Sequence, residues 1–135
     1  MPRRGRVRSV SHTQARAYVA KAEEFVAAAS DELGAGRAIA ATSLAIHAGI
    51  NGADAVCGLR VGKRAAGPDH DEVVALLATA GPDGAAVAKD LRRLLPLKTK
   101  AEYDPDAIAV STAAKAVERA ERIVAVARRV AAGAG

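Results

Sequence analysis

The sequence RAIAATSLAIHAGINGADAVCGL, residues 37–59, contains the strongest helical period of the chain. Apolar or small side chains recur in it at spacings of four and three residues, the repeat of one face of an α-helix. This face comprises Ile39, Ser43, Ile46, Ile50, Ala53 and Cys57. Gly49 and Gly52 each destabilise a helix by roughly 1 kcal/mol relative to Ala. We therefore expect another helix to pack closely on the strip Ala45, Gly49 and Ala53, within the subunit or across a dimer.

The same repeat predicts four further helices around this stretch. A first helix should begin near Ser11 or Thr13 and end at Leu33, and a third should begin at Asp69 with Glu72 as a capping partner. The break Gly-Pro-Asp-Gly at residues 81–84 should precede a fourth helix ending near Leu95, and Ser111 should cap the last. About five helices, short connections and no convincing strand predict an all-α, up-and-down bundle of antiparallel helices.

The composition predicts one domain with a core of small side chains. The chain has 135 residues, and its 35 alanines accompany one Phe, two Tyr and no Trp. We assign residues 11–132 to a single helical domain, residues 1–10 to a disordered basic arm and residues 133–135 to a tail. Because each Ala buries little apolar area, we expect a homodimer, which would bury more.

Several classes of protein are excluded or disfavoured. The single cysteine, Cys57, rules out an intrachain disulfide and a Cys-based zinc cluster. No apolar run approaches the roughly 18 residues of a membrane-spanning helix, and the basic N-terminal residues are not followed by the apolar segment of a signal peptide. We therefore predict a cytoplasmic protein that is not associated with a membrane, and we predict no metal or cofactor.

Positive charge is concentrated in two places. The formal net charge is +5, and the predicted arm supplies four cations, Arg3, Arg4, Arg6 and Arg8. They could grip nucleic acid or act only as a solubilising extension. The second place is residues 89–100, where Asp90 is the one acid among the cations Lys89, Arg92, Arg93, Lys98 and Lys100. Arg92, Arg93 and Lys100 are candidate nucleic-acid contacts.

Three polar residues share one side of the second helix. His47, Asn51 and Asp54 could include a general base or half of a metal site, or they could form a polar seam hydrogen-bonded to a neighbouring helix. His70, in the first turn of the third helix, could lie at the edge of a site or on the surface. The glycine-containing loop at residues 60–68 has no phosphate-loop pattern.

The densest charge outside the arm follows the fourth helix, in LLPLKTKAEYDPD at residues 94–106. Pro96 should break or kink the chain, because proline disfavours a helical conformation at the preceding Leu95. The pair Asp104-Pro105 should form a second break. The question is whether Lys98 and Tyr103, which lie between these breaks, form a site or only an anchored turn.

Over residues 13–130 the order of elements resembles that of the HEPN superfamily, small helical domains of prokaryotic toxin and nucleotidyltransferase-associated proteins. The resemblance rests on GADAV at residues 52–56, DHDEVVALL at residues 69–77 and LLPLKTKAEYD at residues 94–104. The last resembles an Arg-x-x-Ala-Asp-Tyr segment, with Lys98 in place of Arg and Glu102 in place of Asp.

The resemblance implies a metal-independent ribonuclease, in which Arg and His motifs of two chains meet at a dimer groove. This chain has Lys98 in place of Arg and no histidine after His70. We therefore expect a catalytically degenerate homodimer, an interaction or nucleic-acid-binding module in a toxin–antitoxin, stress or defence setting. A nucleotidyltransferase-type partner is also implied, with RNA or DNA as the nucleic acid. The alternative is a ribonuclease in which Lys98 and Tyr103 replace the usual pair.

Overall fold

The structure is a computed structural model that describes residues 6–67 and 69–133. In these residues the predicted all-α bundle is confirmed, with six helices and two three-residue strands. The elements in order are β1 Val7–Ser9, α1 His12–Gly34, α2 Ala38–Val61, β2 Lys63–Ala65, α3 His70–Leu77, α4 Gly81–Leu94, α5 Leu97–Glu102 and α6 Val110–Gly133. The predicted helical domain thus extends to Gly133, and the rest of the predicted tail lies outside the described residues.

The second helix, α2, lies at the centre of the bundle and packs against α1, α4, α5 and α6. Every residue from Gly52 to Leu59 is buried, because a helix that is apolar or small on all sides can be surrounded by other helices. The sequence predicted that one face of α2 is buried, whereas the C-terminal part of this helix is buried on all sides. At its N-terminal end Ile39 is 44% exposed, whereas Ile46, Ala53 and Cys57 are buried.

The helical glycines of α2 mark the places where neighbouring helices approach most closely. A Cβ atom on Gly49 would lie 2.8 Å from Cδ1 of Leu94 in α4, and one on Gly52 would lie 2.7 Å from Cγ2 of Ile123 in α6. Both distances are shorter than an ordinary van der Waals contact. The predicted close approach is therefore made within one subunit, and it allows α4 and α6 to pack directly on α2.

Two short strands join the N-terminal segment to the connection after α2. β1 and β2 are antiparallel, with Val7 opposite Ala65 and Ser9 opposite Lys63. The amide of Val10 donates to the carbonyl of Gly62 at 2.9 Å, and the Val10 side chain is buried. The prediction of a disordered arm is therefore wrong for residues 6–10, and residues 63–65 are not the predicted loop. Arg3 and Arg4 lie outside the described residues.

The helix ends test the capping predictions individually. Ser11 is confirmed as the cap of α1, since its hydroxyl accepts from the Gln14 amide and the Gln14 side chain accepts from the Ser11 amide. Asp69 caps α3 by accepting from the Asp71 amide at 2.9 Å. Glu72, the predicted capping partner, instead accepts from the backbone amide of Arg6 at 3.2 Å.

Around the prolines, two predicted boundaries differ from the structure and one predicted break is confirmed. The Gly81-Pro82 pair opens α4 instead of preceding it, since proline is well suited to the first helical turn. The predicted break at Pro96 is confirmed, since α4 ends at Leu94 and α5 begins at Leu97. Leu95 itself nevertheless keeps a helical conformation, with φ −57° and ψ −39°. The chain then continues into the short helix α5, and α6 begins at Val110, one residue before the predicted cap.

Candidate nucleic-acid interface

The short helix α5 is held by a histidine from each of two other helices. The Lys98 ammonium lies 2.9 Å from Nε2 of His70 in α3. One turn later, a carboxylate oxygen of Glu102 lies 3.4 Å from Nε2 of His47 in α2. Ala101, between these two contacts, is buried against the bundle. The charged stretch is therefore anchored, and two of its charged groups already have partners.

Electrostatics determine the protonation of the Lys98–His70 pair. Burial, followed by the positive charge of Lys98, lowers the pKa of His70, while Asp69, Glu102 and Asp71 act weakly in the opposite direction. At neutral pH His70 is therefore a neutral imidazole whose Nε2 accepts a hydrogen bond from the Lys98 ammonium. A neutral imidazole beside a cation is also the arrangement of a general base next to a phosphate-binding group.

Tyr103, the second predicted site residue, has a different environment. It follows the last residue of α5, its amide donates to the Thr99 carbonyl at 2.9 Å, and the residue is 74% exposed. Lys98, by contrast, is half-buried against α3. Within the described residues no hydrogen bond joins Lys98 to Tyr103, so a single chain does not bring the predicted pair together.

The fourth helix carries an exposed cationic surface, which we call the α4 basic face and define by Lys89, Arg92 and Arg93. All three residues are exposed, and their spacing of three and four residues places them on one side of the helix. Within residues 6–67 and 69–133, none of the three forms an ion pair. Lys100, in α5, is also exposed.

Asp90, the single acid of residues 89–100, forms an ion pair with another helix. A carboxylate oxygen of Asp90 accepts from Nη2 of Arg122 in α6 at 2.8 Å, and its other oxygen accepts from Nε at 3.2 Å. This hydrogen bonding raises the pKa of Arg122, as do Glu118 and the charge of Asp90. Because Asp90 is paired with Arg122, it does not neutralise the α4 basic face.

A groove between α3 and the α4–α5 connection joins the basic face to the histidine. It is lined by Arg92, Leu95 and Pro96 from α4 and the connection after it, and by His70 from α3. Asp69 and Asp71 also line this groove, and their carboxylates repel a polyanion. The positive potential is therefore greater on α4 than in the groove.

The predicted polar seam of α2 divides into separate environments. His47 stacks on Phe25, with ring centroids 5.5 Å apart, and Asn51 donates to the His47 backbone carbonyl at 2.8 Å. Asp54 is buried, and its Oδ1 has no hydrogen-bond partner within the described part of the chain. Burial raises the pKa of Asp54 to about 6, an effect that the charge of Arg64 opposes. No group of three potential metal ligands is found among the described residues.

Two further predicted cations lie at the N-terminal strand, Arg8 within β1 and Arg6 immediately before it. Arg6 and Arg8 are exposed, and Arg8 is directly opposite Arg64 in the antiparallel pair. This proximity was not predicted from the sequence, and neither was the Lys98–His70 contact, which links residues 28 positions apart. Neither has a local signal, because each depends on how the helices pack.

Comparison with known proteins adds no relative to this description. No protein-family model matches the chain, and no curated protein is significantly similar to it. Among the described residues, no helix is long and apolar enough to cross a membrane.

Proposed function

We propose that this chain is a HEPN-like homodimeric module that binds RNA through the α4 basic face and does not cleave it. The supporting observation is the arrangement around Asp90. Lys89, Arg92 and Arg93 are exposed on one side of α4, while Asp90 is paired with Arg122 at 2.8 Å. Phosphate groups bind to such unpaired lysine and arginine side chains.

Binding without cleavage fits the environment of the residues around α5. The Lys98 ammonium donates to His70, and Tyr103 is exposed away from any described side-chain partner. A tyrosine phenol is only a weak acid and a weak base at neutral pH, so it is poorly suited to general acid–base catalysis. Asp69 and Asp71 beside His70 also disfavour an RNA phosphate at that position.

The homodimer is the second part of the proposal. It is supported by the resemblance and by exposed apolar side chains near both ends of the α5–α6 connection, Tyr103 and Val110. Light scattering at micromolar concentration tests it, with a dimer expected from a chain of 13.7 kDa. A monomer would contradict the proposed homodimer.

The resemblance also supports a toxin–antitoxin, stress or defence role with a nucleotidyltransferase-type partner.

RNA binding is tested by fluorescence anisotropy with a labelled single-stranded RNA over a range of salt concentrations. The double variant Arg92→Gln/Arg93→Gln should weaken binding and reduce the salt slope by about 1 for each lost phosphate contact. The matched control is Lys115→Gln, an exposed lysine of α6, which should leave affinity and slope unchanged. Equal binding by the double variant and the unmodified protein would contradict the proposal, as would a loss that Lys115→Gln reproduces.

The alternative function is a metal-independent ribonuclease centred on Lys98. The observation that favours it is the His70 imidazole 2.9 Å from the Lys98 ammonium, since a neutral histidine can accept a proton from a ribose hydroxyl. Labelled RNA incubated with the protein in EDTA tests this function. Cleavage that disappears in Lys98→Ala and in His70→Asn would establish the alternative and refute the non-catalytic proposal. A further loss in Tyr103→Phe would assign a role to the phenol.

A further inference from the structure

A cleft at the corner of β1, α1 and β2 is lined by three cationic side chains from three elements. Arg8 comes from β1, Lys21 from α1 and Arg64 from β2. The other polar lining residues are Ser9, Gln14 and Tyr18. No described carboxylate is among the residues that line the cleft, which we call the β1–β2 cleft.

The strand register brings two of these cations together at an energetic cost. Arg8 and Arg64 are directly opposite each other in the antiparallel pair, and like charges at such positions destabilise a sheet. Within the described residues neither arginine forms an ion pair with a carboxylate. Their repulsion would be relieved by an anion bound between them.

Arg64 is held in place before any ligand arrives. Its guanidinium carbon lies 5.8 Å from the centroid of the Tyr18 ring, a cation–π contact. Its Nη1 also donates to the Ala65 carbonyl at 3.3 Å. An arginine whose plane is already fixed loses little conformational freedom when it binds two oxygens of one anion.

The first helix supplies the opposite wall of the cleft. Gln14, Tyr18 and Lys21 follow each other at spacings of four and three residues, so their side chains extend from the same side of α1. Lys21 is exposed, and its long side chain has rotamers that could bring the ammonium to an oxyanion. The wall therefore adds a mobile ammonium to the fixed guanidinium.

We infer that the β1–β2 cleft binds a phosphate group, held by Arg64 and Arg8 on one side and by Lys21 on the other. A planar guanidinium matches two phosphate oxygens, and an ammonium provides a point charge for the third. The phosphate belongs either to a small phosphomonoester or to the backbone of a single-stranded RNA. This site is distinct from the α4 basic face and does not depend on the function proposed for it.

Titration calorimetry of the full chain with inorganic phosphate, AMP and a short single-stranded RNA tests the inference. Arg64→Gln should weaken binding of a phosphate probe about tenfold, because hydrogen bonds to charged groups are being lost. Lys21→Gln should weaken it about threefold, as expected for an exposed charge. The matched control Lys115→Gln should bind like the unmodified protein, and circular dichroism checks that Arg64→Gln is folded.

The probes distinguish the two sources of phosphate. If inorganic phosphate and AMP bind, and both cleft variants weaken that binding, the ligand of the cleft is a small phosphomonoester. If only RNA binds, and both cleft variants weaken that binding, the ligand is the backbone of a nucleic acid. In either case Lys21→Gln should weaken binding of the phosphate probe by the same factor in the unmodified protein and in the Arg92→Gln/Arg93→Gln variant. The inference is refuted if no probe binds at millimolar concentration, or if Lys21→Gln, whose side chain is exposed and not needed for folding, binds every probe with unchanged affinity.

Discussion

Replacing Asp54 by Asn should change how the stability of the chain depends on pH. The residue is 7% exposed, and burial raises its pKa from 3.8 to about 6 in the folded chain. A raised pKa in the folded state means that the folded chain binds this proton more tightly than the unfolded chain does. The contribution of Asp54 to stability is therefore complete below pH 3.8 and is lost as the pH rises through about 6.

The size of this loss follows from the two pKa values. At 1.36 kcal/mol per pKa unit, the difference between 3.8 and about 6 corresponds to about 3 kcal/mol. Since a typical domain is stable by only about 5–15 kcal/mol, ionisation of one carboxyl group should remove a substantial part of the stability at neutral pH. The charge of Arg64 already moderates the effect.

The assay is urea unfolding of the unmodified protein and Asp54→Asn at a series of pH values from about 3.5 to about 7.5. Taking the difference between the two proteins cancels the pH dependence of the other groups. The unmodified protein should lose about 3 kcal/mol relative to the variant across this range, mostly between pH 3.8 and about 6. A difference that stays constant with pH, or that changes in the opposite direction, would show that the pKa of Asp54 is not raised in the folded chain.

Three further perturbations have defined outcomes. Gly52→Ala should cost about 1–3 kcal/mol in urea unfolding, because a Cβ would lie 2.7 Å from a side chain of α6, whereas the control Gly34→Ala, with nothing within 4 Å, should be tolerated. Equal effects would contradict the close packing. Ser11→Ala should cost about 1 kcal/mol through loss of the α1 cap; an unchanged unfolding midpoint would argue against the capping box. Lys98→Met should raise the pKa of His70 in an NMR titration, since the Lys98 charge lowers it, and an unchanged or lower value would contradict the contact.

The helices and their overall arrangement were predictable because their signals are local. A repeat of three and four residues marks each long helix, and Ser11 has the residue three positions later that completes its capping box. The short strands have no such signal. Three residues are too few for an alternating pattern, and Val7 pairs with Ala65, far away in the sequence. The burial of Val10, which holds the segment in place, likewise depends on the tertiary structure.

The candidate site was predicted less completely than the fold. Arg92, Arg93 and Lys100 are exposed, and their binding of a ligand stays a prediction. The partner of Asp90 could not be known without the position of α6. Lys98 and Tyr103 were paired by resemblance alone, and the structure places His70 beside Lys98 instead. The break at Pro96 was predicted correctly, although Leu95 keeps a helical conformation, because proline disfavours but does not forbid it.

The pairing of β1 with β2 has a consequence for how the chain unfolds. α1 and α2 form a helical hairpin, and the two strands flank it, so the hydrogen bonds between them close residues 6–66 into a loop. Segments joined in this way tend to open together as one cooperative unit. The amides of Val10 and Ala66, which donate across the strands, should therefore be protected from hydrogen exchange by the same free energy of opening as the amides at the contact between α1 and α2. The N-terminal segment would then report on the integrity of the whole hairpin.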